Sequence, residues 1–167
     1  MVTVPFFGAG VAGAMAVEAI VSARHERALR ALGAVEPERD VYRIMQIAYP
    51  GAFLAMLAEG AWRGVEMDAL VTIGLTVFVV AKALKYWAIS TLGTRWTFRV
   101  LVPPGSARTA RGPYRWFPHP NYIAVALELA GAAIAMHAVL TGPVSITLFC
   151  LLMVERVRIE EKALAGR

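Results

Sequence analysis

Residues 69–92 read ALVTIGLTVFVVAKALKYWAISTL and form a long, almost uninterrupted apolar stretch. The hydrocarbon core of a bilayer is roughly 30 Å thick and is crossed by about 20 helical residues, so this segment is long enough to span a membrane. Three more stretches have comparable length and character: 5–23, 42–62 and 122–140. A shorter one, 144–154, can span only if its helix continues into the charged segment 155–165. The sequence therefore predicts an all-α integral membrane protein with about five transmembrane helices.

Composition supports a membrane protein and excludes several soluble classes. The 167 residues are 58% hydrophobic and 17% charged, whereas soluble domains carry about 25% charged residues. The length allows one domain. The single cysteine, Cys150, lies in an apolar run, so neither a disulfide framework nor a cysteine-ligated metal is available. The histidines are scattered along the chain, and no metal site is predicted.

Most basic residues lie on one side of the predicted helices. They follow the first, third and fifth stretches: Arg24, Arg27, Arg30, Arg39, Arg43, Arg95, Arg99, Arg108, Arg111, Arg115, Arg156, Arg158, Lys162 and Arg167. Because cytoplasmic loops of membrane proteins are enriched in Lys and Arg, this distribution predicts an outside N-terminus and a cytoplasmic C-terminus. The net charge of +5 is thus explained by topology, and no nucleic-acid partner is predicted. The Ala-, Arg- and Gly-rich composition favours a bacterial plasma membrane.

The connections between the predicted helices differ in length. Residues 141–143 (TGP) are the link between the fourth and fifth stretches, so these two helices should form a tight antiparallel hairpin. The loop 93–119 is rich in Pro and Gly and cannot be a continuous helix. A structured loop of this length usually acts as a lid or a binding surface. Small residues in the first helix predict close helix contacts, inside the molecule or in a homodimer: Gly8, Ala12, Gly13 and Ala16.

Two polar clusters border the predicted hairpin. The first consists of 111–115 (RGPYR) and 119–122 (HPNY), and the second lies in 155–161 (ERVRIEE). Pro120 suits the first position of a helix with His119 at its cap, and a helix N-terminus attracts a carboxylate. The carboxylates of the second cluster are able to bind an ammonium, a sulfonium or ribose hydroxyls. The two clusters together therefore suit S-adenosylmethionine, which carries all of these groups.

Purely structural interpretations of the same residues remain open. His119 is equally an ordinary cap or interface residue. The charged tail is equally a solvated helix, with an i,i+4 pair between Arg156 and Glu160. The aromatic residues of this region also suit the belt at a membrane interface: Tyr114, Trp116 and Tyr122.

Among the charged residues inside the predicted membrane helices, Lys82, Lys85 and Glu128 bear on the site. Lys82 and Lys85 lie towards the inner end of the third helix, and snorkelling of their long side chains to the interface is preferred to a catalytic role. Glu128 falls about two turns into the fourth helix. An unpaired carboxylate is costly at that depth, so Glu128 is predicted to face the protein interior and to serve the site.

Several segments together resemble the isoprenylcysteine carboxyl methyltransferase family, including its small bacterial members. They are 112–115 (GPYR), 119–122 (HPNY) and 158–161 (RIEE) with Leu164 behind it, and Leu92, Gly93 and Trp96 also fit the family's pattern. The similarity covers roughly 86–164, about half of the chain. One position departs from the pattern, because Pro118 stands where the family commonly has Arg. This departure removes a cationic contact and bears on how the substrate is handled.

The resemblance implies an S-adenosylmethionine site built from the loop before the fourth helix and the carboxylates after the fifth, without a Rossmann fold. Its implied cofactor-binding residues are Tyr114, His119, Pro120, Tyr122, Glu160 and Glu161. The candidate substrate-binding residues are Arg111, Arg115 and Trp96. The candidates for a catalytic role are His119 and Glu128 as bases and Arg158 as the group that holds an anion.

The activity that the resemblance implies is methyl transfer to a carboxylate or hydroxyl oxygen of a lipophilic acceptor at the cytoplasmic membrane face. Residues 1–85 then form N-terminal helices, and residues 86–167 form the catalytic part with the loop 93–119 and the hairpin 121–164. The acceptor is a membrane lipid or a lipophilic small molecule: a prenylcysteine, an alkyl phenol or pyrone, or another lipid acid. Three alternatives stay open: a phospholipid N-methyltransferase, an NADPH-dependent sterol-type reductase, and a non-enzymatic membrane subunit.

Overall fold

The computed structural model describes residues 3–36, 41–103 and 109–165, with side chains as far as residue 162. Its five α-helices are α1 (Thr3–Ala31), α2 (Tyr42–Trp62), α3 (Ala69–Leu92), α4 (Pro120–Ala135) and α5 (Thr141–Ala165). Two 3-10 turns, Gly93–Arg95 and Gly112–Arg115, lie between α3 and α4. Within the described ranges there is no β-strand beyond an isolated antiparallel bridge between Val35 and Val102, which confirms the predicted all-α class. Outside these ranges lie three basic residues used to predict the topology: Arg39, Arg108 and Arg167.

The boundaries of α2 and α3 coincide with the predicted apolar stretches, and the other helices depart from them. α1 continues past Ala23 to Ala31, because residues 24–31 are good helix formers although several of them are charged. α4 ends at Ala135, short of the predicted residue 140. His137 adopts a positive φ of 48° there, a conformation that a continuing helix does not contain.

The predicted link 141–143 is wrong, because these residues form the first turn of α5 and residues 136–140 form the connection. Pro143 is tolerated at that place because the N–H groups of a first helical turn have no partner within the helix. α5 continues through the charged segment to Ala165. The stretch 144–154 is too short to cross a membrane alone, and this continuation is the condition under which it was predicted to span. α4 and α5 remain neighbours that pack against each other.

The start of α5 is held by a side chain from α2. Glu59, which is 6% exposed, accepts hydrogen bonds from the backbone N–H groups of Leu140 (3.1 Å) and Thr141 (2.8 Å). Its carboxylate also accepts a hydrogen bond from the Thr141 hydroxyl at 2.7 Å. A carboxylate beside a helix N-terminus is favoured by the helix dipole and by the unpaired N–H groups there. A contact between distant segments therefore determines where α5 begins.

Two helical segments are long and apolar enough to cross a membrane: α1 and the segment Ala69–Arg95 that contains α3. α4 is apolar but shorter. Large apolar side chains are exposed on the outer faces of the helices: Phe6, Ile47, Leu54, Val79, Val80, Leu148 and Leu151. Soluble monomers rarely expose apolar surface on this scale, whereas a lipid-facing surface consists of it. The chain is thus a helical membrane protein, and the total of five spans stays a prediction.

The closest helix contact is between α3 and α4 and depends on two glycines. A Cβ atom at Gly74 would lie 2.3 Å from the backbone nitrogen of Ala135, and one at Gly131 would lie 2.7 Å from the backbone nitrogen of Phe78. Backbones this close are typical of small-residue contacts between membrane helices. Because of this contact, α3 and α4 form one packed unit, and the other helices pack around it.

The predicted small-residue face of α1 packs internally only at Gly8, where a Cβ atom would lie 3.3 Å from Leu57. Ala12, Gly13 and Ala16 are exposed, and a Cβ atom at Gly13 would meet nothing within 4 Å. The prediction of internal packing is therefore wrong for most of this face. The homodimer stays a prediction.

We expect Gly74→Ala to destabilise the protein, because the new methyl group would overlap the α4 backbone and force α3 and α4 apart. Overpacking of this kind typically costs about 1–3 kcal/mol. Gly13→Ala is the matched control, since it adds a methyl group to a helix interior with open space around it and should be neutral or slightly stabilising. Thermal unfolding in detergent measures both variants, and equal melting temperatures would contradict the proposed contact.

Candidate functional site

A cavity of about 1060 Å³ lies between α1, α2, α5 and the long connection from α3 to α4. Its volume is at the upper end of the range for small-molecule sites, about 300–1,000 Å³. One end is lined by polar residues of α4 and α5, and the other by charged residues of α1 and α3. Between the two ends the lining is largely apolar: Met15, Met45, Val125, Phe149 and Met153. The cavity therefore joins two polar ends through an apolar middle.

At the first end, which we call the outer end, α4 and α5 meet through Tyr122. The Tyr122 hydroxyl donates a hydrogen bond to Glu160 Oε2 at 2.9 Å and accepts one from Arg156 Nε at 3.0 Å. Arg156 and Glu160 are one helical turn apart on α5 and therefore share a face. Arg156 is only 6% exposed although it is charged. The sequence prediction that the hairpin brings the two polar clusters together is thus realised here.

His119 occupies the N-cap position of α4 and lies against Tyr122, with ring centroids 5.4 Å apart and an interplanar angle of 19°. Its Nε2 atom is 3.5 Å from Glu161 Oε1, and its Nδ1 atom is 4.0 Å from Glu160 Oε2. The buried His119 Nε2 and Asn121 Oδ1 atoms make no hydrogen bond with the described residues. Both residues line the cavity. Buried polar atoms are usually paired, so these two are candidates for contact with a ligand.

The α4 N-terminus offers less to an anion than the sequence suggests. Pro120 has no backbone N–H, and the N–H groups of Tyr122 and Ile123 both bond to the His119 carbonyl, at 3.1 and 3.3 Å. The N–H groups of Tyr122 and Ile123 are therefore already used within this turn, which reduces what the helix end offers to a ligand carboxylate. Pro120 itself is fully buried and serves to begin the helix.

Tyr114 reaches the outer end from the 3-10 turn Gly112–Arg115. Gly112 has a φ of 54°, and a Cβ atom there would lie 2.4 Å from the Thr91 hydroxyl oxygen, so only glycine fits against α3. Burial and then the neighbouring Glu160 carboxylate raise the pKa of Tyr114. Tyr114 is therefore a neutral phenol that can donate or accept a hydrogen bond.

The other predicted site residues are divided between the cavity and the surface. Trp96, which is 4% exposed, and Arg115 line the cavity, whereas Arg111 and Glu161 do not. Arg158 also lies outside it, with 67% of its side chain exposed and its guanidinium 3.3 Å from Glu155.

The cavity contains Arg156 where the sequence resemblance pointed to Arg158. Two residues correspond to about 200° around a helix, so these side chains face opposite directions. The i,i+4 spacing of Arg156 and Glu160 was the signal in the sequence that could have identified the correct face. The assignment of a catalytic role to Arg158 remains untested.

The segment 96–103 lines the cavity and is attached to α1. The Phe98 N–H donates to Ser22 Oγ at 2.8 Å, and His25 Nδ1 lies 2.8 Å from the Trp96 carbonyl oxygen. Arg99 pairs with Glu36 at 2.5 Å. The extension of α1 beyond its apolar stretch thus provides a platform for the loop.

The inner end of the cavity is a buried cluster of four charges. Glu18 accepts hydrogen bonds at 2.7 Å from both Lys82 and Lys85. Glu128 lies 3.3 Å from each lysine and accepts a hydrogen bond from the Tyr49 hydroxyl. Both glutamates and Lys85 are at most 2% exposed, and Lys82 is 9% exposed. The cluster links α1, α2, α3 and α4.

This cluster confirms one sequence prediction and corrects another. Glu128 faces the interior as predicted, but Lys82 and Lys85 do not snorkel, because both ammonium groups are buried against carboxylates. The cavity is lined by Glu18, Tyr49 and Lys85 and not by Glu128, so a base role for Glu128 would have to act through Tyr49. Glu18 was missed, although an acid inside an apolar helix calls for a basic partner such as these lysines.

Comparisons with known proteins give one family and two similar sequences. The profile of the Isoprenylcysteine carboxyl methyltransferase (ICMT) family matches residues 72–166. The uncharacterized protein YpbQ of Bacillus subtilis (strain 168) is 29% identical over 149 residues, which are 89% of this chain and 89% of that protein. An uncharacterized protein of Haemophilus influenzae is 26% identical over 146 residues, which are 87% of this chain and 85% of that protein. No solved structure gives a significant match.

We expect the pKa of Tyr114 to fall when Glu160 is replaced by glutamine. The Glu160 carboxylate disfavours the negative phenolate, so its removal makes ionisation easier, while burial keeps the pKa above the ordinary tyrosine value of about 10. Ultraviolet titration of each protein, with the Tyr114→Phe form subtracted, isolates this group. Glu155→Gln is the control, because Glu155 is exposed and lies outside the cavity. An unchanged or higher pKa in Glu160→Gln would contradict the geometry.

Proposed function

This chain belongs to the isoprenylcysteine carboxyl methyltransferase family of membrane methyltransferases, and we propose that it transfers a methyl group from S-adenosylmethionine to an oxygen of a lipophilic acceptor. The observation that carries the proposal is the outer end of the cavity. There Tyr122, Arg156 and Glu160 are joined by hydrogen bonds next to His119 and Tyr114. These residues come from the matched region, and together they have the polarity that this cofactor requires.

The residues at the outer end fit the parts of S-adenosylmethionine. The Glu160 carboxylate suits the ammonium group or the ribose hydroxyls, and the buried Arg156 guanidinium suits the carboxylate. His119 Nε2 and Asn121 Oδ1, which belong to cavity-lining residues and make no hydrogen bond within the described part of the chain, offer further contacts. Tyr114 and Trp96 supply aromatic surface for the adenine ring. The cofactor, when bound, supplies a methyl carbon that its sulfonium group already activates.

The protein's own part is to align the acceptor oxygen with that carbon and to keep water away. A carboxylate acceptor is already anionic and needs no base, whereas a hydroxyl acceptor benefits from one. His119 is the better placed of the two predicted bases, because it lines the cavity and its Nε2 atom makes no hydrogen bond with the described residues. Glu128 lies 3.3 Å from two lysine ammonium groups and does not line the cavity.

We place the acceptor's apolar part in the middle of the cavity, where three residues of the lining are Met45, Phe149 and Met153. In this arrangement an apolar acceptor enters from the bilayer, and the charged cofactor enters from the cytoplasm at the outer end. The excess of basic residues near this end agrees with the cytoplasmic orientation that the positive-inside rule predicts. The location would then be a bacterial plasma membrane, with the N-terminus outside.

We expect the purified protein to bind S-adenosylmethionine in detergent and Glu160→Gln to bind it at least about tenfold more weakly, because a hydrogen bond to a charged group is lost. Isothermal titration calorimetry measures both affinities. Glu155→Gln, a matched change on the exposed face of α5, should bind like the parent. A folded parent protein that binds no S-adenosylmethionine would overturn the proposal, and NADPH would be the next ligand to test.

We expect Arg156→Met to weaken S-adenosylmethionine binding and Arg158→Met to leave it nearly unchanged. Arg156 is buried in the cavity and bonded to Tyr122, whereas Arg158 is exposed. Both substitutions remove the same charge from the same helix, so a difference between them reports which side of α5 binds the cofactor and not the effect of net charge. The opposite order of affinities would show that the choice of Arg158 from the family resemblance is right and that Arg156 does not face the cofactor.

A further inference from the structure

The inner end of the cavity is lined by charged and polar side chains, to which an apolar tail could not hydrogen-bond. Glu18, Tyr49 and Lys85 line it, and the four charges of the cluster sum to zero. Glu128, which contacts Tyr49 and Lys85, marks this level on α4. Tyr122 of the outer end lies six positions earlier on α4, which corresponds to about 9 Å of helix. A ligand at the inner end would therefore be separate from the groups that bind the cofactor.

The hydrogen bonds inside the cluster determine what it presents to the cavity. The Tyr49 proton is donated to Glu128, so the Tyr49 oxygen offers only lone pairs to a ligand. Lys85 has three N–H groups, and two of them are directed to Glu18 and Glu128. A ligand at the inner end therefore meets the Tyr49 oxygen as an acceptor beside Lys85, which has one N–H left to donate. The Glu18 carboxylate, which is also in the lining, already accepts a hydrogen bond from each lysine.

We propose that this inner end is a binding subsite for a hydroxyl group, which accepts a hydrogen bond from Lys85 Nζ and donates one to Tyr49 Oη. A hydroxyl is a donor and an acceptor at the same atom and so matches both groups. A carboxylate would face the Tyr49 lone pairs and the Glu18 carboxylate, and a hydrocarbon end would leave both polar groups unsatisfied. That the hydroxyl belongs to the methyl acceptor rests on the proposed function. Because the inner end is separate from the groups that bind the cofactor, this hydroxyl is not the oxygen that is methylated, and the subsite selects a lipophilic acceptor that carries a second, neutral hydroxyl.

The test compares three probes of similar apolar size in detergent without cofactor: para-heptylphenol, heptylbenzene and para-heptylbenzoic acid. Calorimetry, with empty micelles subtracted, should give the phenol an affinity about tenfold higher than that of either other probe, because two hydrogen bonds form. Equal affinities for the phenol and heptylbenzene, or tighter binding of para-heptylbenzoic acid, would overturn the subsite. This comparison uses the parent protein and needs no variant to fold.

The variant Tyr49→Phe then assigns the effect to the subsite. It removes the oxygen, keeps the ring that lies 5.2 Å from Lys85 Nζ, and leaves all four charges in place. Its preference for the phenol over heptylbenzene should disappear, with heptylbenzene affinity unchanged. Tyr86→Phe is the matched control, because Tyr86 is exposed on α3 outside the cavity, and it should retain the preference. A retained preference in Tyr49→Phe would overturn the assignment.

The subsite and the methyltransferase proposal fail in different ways. Binding of S-adenosylmethionine to Tyr49→Phe should equal that of the parent, because Tyr49 belongs to the inner end. A parent that prefers the phenol but binds no S-adenosylmethionine would keep the subsite and overturn the methyl transfer. A parent protein that binds S-adenosylmethionine without preferring the phenol would overturn the subsite and keep the methyltransferase proposal.

Discussion

Two glutamates and two lysines inside apolar helices must find one another, because each would lose several kcal/mol if it were buried alone. Glu18 of α1, Lys82 and Lys85 of α3 and Glu128 of α4 satisfy this requirement within a single cluster. The glycine contact between α3 and α4 places the lysines beside Glu128, and Tyr49 adds α2. The same contacts form the floor of the cavity, so the fold and the site depend on one interaction.

Hydropathy predicts α2 and α3 because their ends coincide with changes from apolar to polar sequence. It fails where a helix end is determined by distant residues. α4 ends at Ala135, just before His137, whose positive φ no propensity indicates, and α5 begins where Glu59 of α2 accepts N–H groups. A Thr-Gly-Pro segment suggests a turn when it is considered alone. With Glu59 beside it, the same segment becomes the first turn of a helix.

The outer end of the cavity is predictable from sequence because its residues lie at the two ends of one hairpin. His119, Tyr122 and Glu160 meet there as expected. The choice of Arg156 over Arg158 depends on the rotation of α5, which the sequence indicates only through the i,i+4 spacing to Glu160. The inner end could not be predicted in full, because Glu18, Tyr49 and Lys85 come from three helices that are far apart in sequence.

The order of the four charges along the chain has a consequence for biogenesis. The lysines of α3 enter the bilayer when α1, with Glu18, is already made and α4, with Glu128, is still to be synthesised. A lysine at the centre of a membrane helix costs about 2.5–3.5 kcal/mol on insertion. At that moment Glu18 is the one carboxylate of the cluster already made, and it neutralises only one of the two positive charges. The cluster thus carries one excess positive charge until α4 emerges from the ribosome and completes the neutral set.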